Sequence, residues 1–276
     1  MIRAGVIADV QTGSAYAPWP PDFESSTFGK VLLNQGQTYL LDNWQRIAKE
    51  IPSLDLLFLN GDEIEGQQPK DEARYVIEPE PQSQARAFLR LIEPFHKRVK
   101  KGGETYCTEG TAYHMGDCGT WSEYIAEQIG AIPMAGAHFC WDWLLLDVAG
   151  KHLDVAHRQS VTIAYKTTTQ ERELNFSEMH KIPADLVIRS HNHTYSWIEL
   201  PREDRLQYYL STPAWQLQTH YCRTSISPNR KDGTLLGMVV IEIDRDGTIS
   251  KKPFLFEHPP MRRAEYVKAR IHDAGR

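Results

Sequence analysis

Along this sequence, short runs rich in apolar residues stop at, or just before, an Asp or a His. Ile2–Ala8 is followed by Asp9, with Gln11 two places on. Leu54–Leu59 is followed by Asn60-Gly61-Asp62, Lys151–Ala156 by His157, and Leu186–Arg189 by Ser190-His191-Asn192-His193. Thr105–Thr108 leads into Glu109-Gly110-Thr111, with His114 a few residues later. Runs of this length bounded by turn residues read as buried strands. Between the first two, Gln35–Ile51 places Leu40, Leu41, Trp44, Ile47 and Ala48 on one helical face, and Pro52 closes it. Strand, helix, strand opens a parallel α/β arrangement, in which loops at the carboxyl ends of the strands line one crevice. Residues as distant in sequence as Asp9 and His193 are therefore expected to converge.

The remainder divides in character. Ser83–Val99, with Ala87, Leu91, Ile92 and Phe95 spaced for burial, and Trp121–Ile129 predict two more helices. After them come strand-like runs: Phe139–Val148, Lys151–Ala156, Leu186–Arg189, Tyr195–Leu200, Leu206–Ser211 and Leu235–Ile243. The expected fold class is α/β: a two-sheet βαβ sandwich flanked by helices. Residues 13–30, with three prolines and Tyr16, Trp19, Phe23 and Phe28, and residues 66–82, with Pro69, Pro79 and Pro81, suit no regular element. Long loops in compact domains are often functional, and both follow directly on the candidate residues. Tyr16 and Trp19 are expected at the rim of the crevice, placed to stack on a base. Trp215 is expected in the core.

With 276 residues and no Ser/Gly-rich tract, like-charge block or repeat, the chain reads as one domain. Its core is expected over about 2–256, with a C-terminal tail at 257–276. Hydrophobic residues at 41% exclude a mainly disordered chain, and no apolar run approaches the ~20 residues a membrane span needs. The start, MIRAGVIADV, lacks the layout of a signal peptide, so the expected setting is cytoplasmic, without a membrane partner. Cys107, Cys118, Cys140 and Cys222 form no CxxC pair and are expected to be free thiols. A net charge of −5 shows no global basic footprint, and His96-Lys97-Arg98 reads as a solvated helix end. Two divalent ions would add about +4 locally, so a phosphate site remains compatible with an acidic chain.

Carboxylate plus imidazole is a donor set for Mn, Fe, Zn and similar ions more than for Ca or Mg. A carboxylate such as Asp62 can bridge two ions, and ions about 3.5–4 Å apart clamp both sides of a phosphoryl transfer. Most of the 11 histidines have bland readings; what sets the candidates apart is order and placement together.

In that order the sequence resembles the calcineurin-like metallophosphoesterases, whose motifs run DxH, GDxxD, GNH plus an acid, a single His, and GHxH. The matching segments are Asp9-Val10-Gln11, Gly61-Asp62-Glu63-Ile64-Glu65, Gly110 through His114, His157, and His191-Asn192-His193, over roughly residues 2–215. The local wording looks most like the phage and prophage members. The resemblance implies a dinuclear site at the carboxyl ends of the strands. One ion would take Asp9, Gln11, Asp62 and His193, and the other Asp62, His157 and His191, with water between them as nucleophile. Two departures stand out. Gln11 occupies a place usually held by His, as in the manganese-dependent ADP-ribose/CDP-alcohol diphosphatases, which resemble this chain in an Ile-Ala-Asp-x-Gln opening. Thr111 stands where the Asn ligand is expected and offers only a hydroxyl. His114, two residues late, stands in for the His that contacts phosphate and assists the leaving group, or else holds the second ion.

The function expected is hydrolysis of a phosphodiester, in nucleic acid or a nucleotide, with two divalent ions: Mn first, then Fe, Zn or Ni. A nucleotide diphosphatase or phosphomonoesterase is the alternative within enzymes, and a non-catalytic metal-binding scaffold the alternative outside them. The sequence leaves the oligomeric state open.

Overall fold

The computed structural model describes residues 1–69, 72–116, 119–134, 138–158, 168–179, 183–219 and 235–259. Two sheets form its centre. The first contains β1 (Ile2–Ile7), β4 (Leu54–Leu59), β5 (Val99–Thr108), β6 (Cys140–Trp141), β12 (Leu235–Ile243) and β13 (Ile249–Glu257), in the order β13-β12-β1-β4-β5-β6. The second contains β7 (Leu144–Val148), β8 (Lys151–Val155), β9 (Leu186–Arg189), β10 (Ser196–Pro201) and β11 (Leu206–Ser211), in the order β10-β11-β9-β8-β7. β1, β4, β5 and β6 run parallel, as do β8, β9 and β11, and antiparallel strands complete each sheet.

Alternation along the strands builds the layers. Ala4, Val6, Leu56, Phe58, Val239 and Ile241 of the first sheet meet Leu153, Val155, Leu186, Ile188 and Leu210 of the second in one core cluster. The opposite face of the first sheet packs on α1 (Gln35–Glu50), α2 (Pro81–His96) and α4 (Thr120–Ile129), with Trp44, Phe95 and Trp215 in mutual ring contact. Strands covered on both faces have no polar side to show, hence their nearly unbroken apolar runs. The outer face of the second sheet offers Val187 and Tyr209 to Leu174 of α5 (Thr168–Met179). The α/β class and the two-sheet sandwich with flanking helices are thus as expected, in four layers. Among the described residues, no helix is long and apolar enough to cross a membrane.

Several boundaries differ from expectation. α2 begins at Pro81, whose fixed φ suits a first helical turn, and ends at His96 because Val99 already starts β5. β5 takes in polar Lys100–Glu104, paired to β4 through an irregularity in register near Leu54. The single run Phe139–Val148 is two strands in two sheets, since the chain crosses between them at Asp142-Trp143. α5 and β13 went unforeseen, and β13 carries the strand to Glu257, one residue into the expected tail. Within 13–30 lies a small hairpin, β2 (Glu24–Ser25) with β3 (Gly29–Lys30), tied to Glu78 through the backbone N–H of Ser26 and the hydroxyl of Thr27. Residues 112–115 form a single turn of helix, α3 (Ala112–Met115). Trp19 corrects the rim expectation: it is fully buried and packs edge-on against Phe23, unable to stack on anything outside. Tyr16 is half-buried against Tyr75, and Trp215 is core, as expected. Cys107 and Cys140 are buried free thiols; Cys118, Cys222, His180, His220, His272 and the tail from 260 lie outside the described residues.

Candidate metal centre

The turns leaving β1 and β4 are stitched to each other by main-chain bonds that continue the parallel ladder. Asp9 N–H donates to Gly61 O, Gln11 N–H to Asp62 O and Thr12 N–H to Glu63 O, each at 3.0 Å. On the second sheet, Ser190 N–H donates to His157 O at 2.9 Å. Asn60 joins the two systems: its amide donates to Ala156 O at 3.1 Å and to the Ser190 hydroxyl at 2.5 Å, and accepts from the Thr108 hydroxyl at 2.6 Å. The crevice is therefore held from both sheets.

Within it the backbone is strained in a concentrated way. Among the described residues, nine non-glycine residues have positive φ, and five of them are Asp9, Gln11, Asp62, His191 and His193, at 50–71°. Side chains with a Cβ avoid this region, and such residues cluster where function over-determines the backbone.

All the candidate side chains meet. Ligand atoms of Asp62, His157 and His191 lie within 4.8 Å of one another. His157 Nε2 is 3.0 Å from Asp62 Oδ2 and 3.9 Å from Asp9 Oδ1, and His193 Nε2 is 3.2 Å from Asp9 Oδ1. Gln11 Nε2 lies 3.4 Å from His193 Nε2 and 3.3 Å from His114 Nε2. Asp9 Oδ2 accepts the backbone N–H of His191 at 3.1 Å. Asp9, Gln11, Asp62 and His157 are buried, whereas His191 is exposed at the mouth. Thr111 reaches Asp62: its N–H donates to Oδ1 at 2.7 Å, and its hydroxyl lies 3.1 and 3.2 Å from the two carboxylate oxygens.

The electrostatics say what is missing from a purely organic account of this cluster. His157 donates Nδ1–H to Asn60 O at 2.6 Å, since a carbonyl can only accept. A neutral His157 would then point a lone pair at Asp62 Oδ2. Burial opposes charging this ring, but Asp62 and then Asp9 push its pKa up to about 9, so a proton sits there. Burial likewise opposes ionised Asp62, yet His157, then His114 and Thr111, hold its carboxyl well below the usual range. His191 is shifted down, by partial burial and then by His157. Asp9 Oδ1, Gln11 Oε1 and His157 Nε2 are buried with no well-formed hydrogen bond among the described residues, although Asp9 Oδ1 and His157 Nε2 have charged neighbours within 3.0–3.9 Å. Buried ligand atoms without well-formed hydrogen bonds, among converging carboxylates and imidazoles, fit a divalent cation, which would take the place of the proton on His157. The donor set suits Mn, Fe or Zn, with Gln11 contributing an amide oxygen after a half-turn of its side-chain amide.

Three residues escaped the sequence reading. Asn60 fixes the His157 tautomer; its signal was only an Asn ahead of Gly-Asp at a strand end. Glu63 is buried, and neither carboxylate oxygen finds a well-formed hydrogen bond; burial, and then the charge of Asp62, push its pKa up to about 7. Burial also holds the Glu65 carboxyl well above its ordinary range, while Ser14, Gln216 and Gln68 hydrogen-bond it. Acidic residues one and three places after Asp62 in an otherwise apolar turn were the available clue.

No protein-family profile matches this sequence, and no curated protein matches it. Solved structures do. Vps29 from Entamoeba histolytica complexed with Zn²⁺ is similar at 12% identity, over 93% of this chain and 99% of that one, with a TM-score of 0.42. Vacuolar protein sorting 29 from Cryptosporidium parvum is similar at 9% identity over 93% and 97%, with a TM-score of 0.44. A Streptococcus pneumoniae protein described as a predicted phosphoesterase is similar at 12% identity over 93% and 97%, with a TM-score of 0.35.

Proposed function

We propose that this chain is a metal-dependent phosphoesterase that hydrolyses a phosphodiester, in a nucleic acid or nucleotide, as a single domain. Two divalent cations, Mn foremost, are held by Asp9, Gln11, Asp62 and His193 on one side and by Asp62, His157 and His191 on the other. The observation that carries this reading is the convergence, at the carboxyl ends of strands in two sheets, of Asp, Gln and His side chains on left-handed backbone, with Asp9 Oδ1, Gln11 Oε1 and His157 Nε2 buried without well-formed hydrogen bonds. Bound cations of this kind neutralise phosphoryl oxygens and acidify a water nucleophile.

The chain's own residues then have distinct tasks. Asp62, locked by Thr111, keeps one carboxylate facing both halves of the crevice. Asn60 holds His157 with Nε2 inward. His114 presents Nε2 beside Gln11, at the edge of the cluster, and in its doubly protonated form delivers the Nε2 proton to the departing oxygen, keeping Nδ1–H on Glu65 O. Loss of such a group typically costs 10²–10⁴-fold, and the cost depends on the leaving group.

The test is metal analysis followed by hydrolysis of bis-p-nitrophenyl phosphate against p-nitrophenyl phosphate with added Mn, then a library of nucleotide and nucleic-acid esters. Two bound ions and preferential diester cleavage are expected. Preferential monoester or diphosphate cleavage would favour the alternative enzymes. Two bound ions with no turnover of any ester would favour a metal-binding scaffold.

A further inference from the structure

α3 is four residues long, far too short to hold its own geometry, yet it carries His114, the proton donor proposed above. Its stability must come from what surrounds it. His114 Nδ1–H donates to the backbone oxygen of Glu65 at 2.8 Å, which leaves Nε2 as the atom facing Gln11. The next residue, Gly66, lies so close beneath α3 that a Cβ there would meet His114 O at 2.5 Å. Gly66 is itself clamped by Gln84, which accepts its N–H at 2.8 Å and donates to its carbonyl at 3.0 Å.

A second tie runs through side chains. Tyr113 sets its ring edge-on to His114, with centroids 5.0 Å apart and planes at 88°. Its hydroxyl donates to Gln68 Oε1 at 2.7 Å. The same Gln68 side chain hydrogen-bonds the buried carboxyl of Glu65, which Gln216 also holds at 2.8 Å. Gln68 has φ +50°, an uncommon conformation for a residue with a Cβ, and it is this conformation that accompanies a side chain in contact with both Glu65 and Tyr113. The path Glu65–Gln68–Tyr113 thus starts and ends on the imidazole: Glu65 through its carbonyl, Tyr113 through its ring.

We propose that Tyr113 and Gln68 are positioning residues for His114, forming with Glu65 a closed brace that fixes the plane of the imidazole and the direction of Nε2. This rests on the assignment of His114 as the donor to the leaving oxygen. Tyr113 meets the imidazole ring itself and Gln68 meets Tyr113, so the brace acts through His114.

Tyr113→Phe keeps the ring on His114 and removes the hydroxyl; Gln68→Ala removes its acceptor. With the Mn-loaded protein, each single variant is expected to lower kcat about 5–20-fold on an alkyl or nucleoside diester. KM, Mn stoichiometry and turnover of bis-p-nitrophenyl phosphate, whose leaving group needs no proton, are expected to stay within twofold. The double variant is expected to be no worse than either single, because both cut the same path. Independently of activity, ¹⁵N-imidazole spectra of the full chain, recorded at a pH where the His114 ring is neutral, are expected to show the Nδ1–H tautomer in the wild type and a mixture of tautomers in either variant. Losses equal on both ester types, losses that multiply in the double variant, or spectra identical in all three proteins would overturn the brace. If the wild type hydrolyses no ester, the phosphoesterase reading falls, and the spectra still decide whether the brace orients His114.

Discussion

His157 shows how one backbone oxygen decides the chemistry of a whole cluster. Because Nδ1–H is spent on Asn60 O, only Nε2 faces Asp62 and Asp9, and in the metal-free chain a proton must sit between ring and carboxylates. A cation takes that proton's place. The sign is fixed: with the pKa of His157 raised to about 9, Mn binding at pH 7.5 releases protons, and Mn affinity climbs as pH rises from 7 to 9. Calorimetric titrations in buffers of different ionisation enthalpy measure this release; none at pH 7.5 would take His157 out of the ligand set. Asp62→Asn removes the charge that both halves of the crevice share and turns an amide N–H toward Thr111. Hydrolysis is expected to fall by more than about 10²-fold, beyond what outer partners of a metal usually contribute, and Mn stoichiometry to drop. Two tightly bound ions and full activity in this variant would reject the bridge. The convergence of Asp9, Asp62, His157, His191 and His193 was legible in the sequence because charged or imidazole groups after apolar runs are conspicuous; Gln11, a neutral amide, stood out only by its place in the resembling motif. Asn60 and Glu63 were not legible, because the partners of Asn60 lie across the fold and the burial of Glu63 is set by the layers packed around it. Trp19 misled because a Trp in a proline-rich loop looks the same in sequence whether its ring points in or out.

Turns, more than strands, give this crevice its shape. Gly61 separates Asn60 from Asp62 at φ +83°, and a Cβ on it would meet His157 Nδ1 at 2.5 Å. Gly150, in the β7–β8 turn at φ +79°, has nothing within 4 Å of such an atom. Both positions impose the left-handed penalty of about 1–2 kcal/mol on alanine, but only Gly61→Ala also displaces an imidazole. Thermal melts of the chelated proteins are expected to show both variants destabilised, Gly61→Ala more so. Mn titrations are expected to show at least tenfold weaker binding for Gly61→Ala and unchanged binding for Gly150→Ala. Equal Mn affinity in the two would mean that His157 does not need its present place. The same weighting of turns over strands explains which elements could be read in advance. α1 was legible to within a residue because a clean apolar stripe ends at Pro52; the structure adds an Asn34–Gln37 capping box at its start. α5 was not legible, because its amphipathic pattern is weak; among its described side chains Leu174 is the apolar one in the core. The β6–β7 junction hid inside one apolar run, since a strand's sheet is chosen by the partner it meets and not by its own residues.

The candidate ligands come from both sheets: Asp9 and Asp62 follow β1 and β4 of the first, while His157, His191 and His193 follow β8 and β9 of the second. A cation that takes donors from both can bind fully only when the sheets are packed through the Val6, Phe58, Val155 and Ile188 layer. Binding is then linked to the docking of the two halves, and free energy of binding appears as stability of the whole. At a Mn concentration of 100 Kd, one site contributes about 2.7 kcal/mol. For a domain of this size each kcal/mol moves Tm by roughly 2–4 °C, so chelation is expected to lower Tm by on the order of 5–10 °C. His191→Ala separates this linkage from simple damage. His191 is exposed at the mouth, and the hydrogen bond it gives Asp9 comes from its backbone, which alanine keeps. The chelated variant should therefore melt within about 1–2 °C of the chelated wild type, as surface substitutions usually do. With Mn added, its gain in Tm should be markedly smaller than that of the wild type. Differential scanning fluorimetry across a Mn series gives both numbers from one plate. A wild-type Tm indifferent to Mn and chelator would show that the two sheets hold together without a cation, and that the crevice does not bind one tightly.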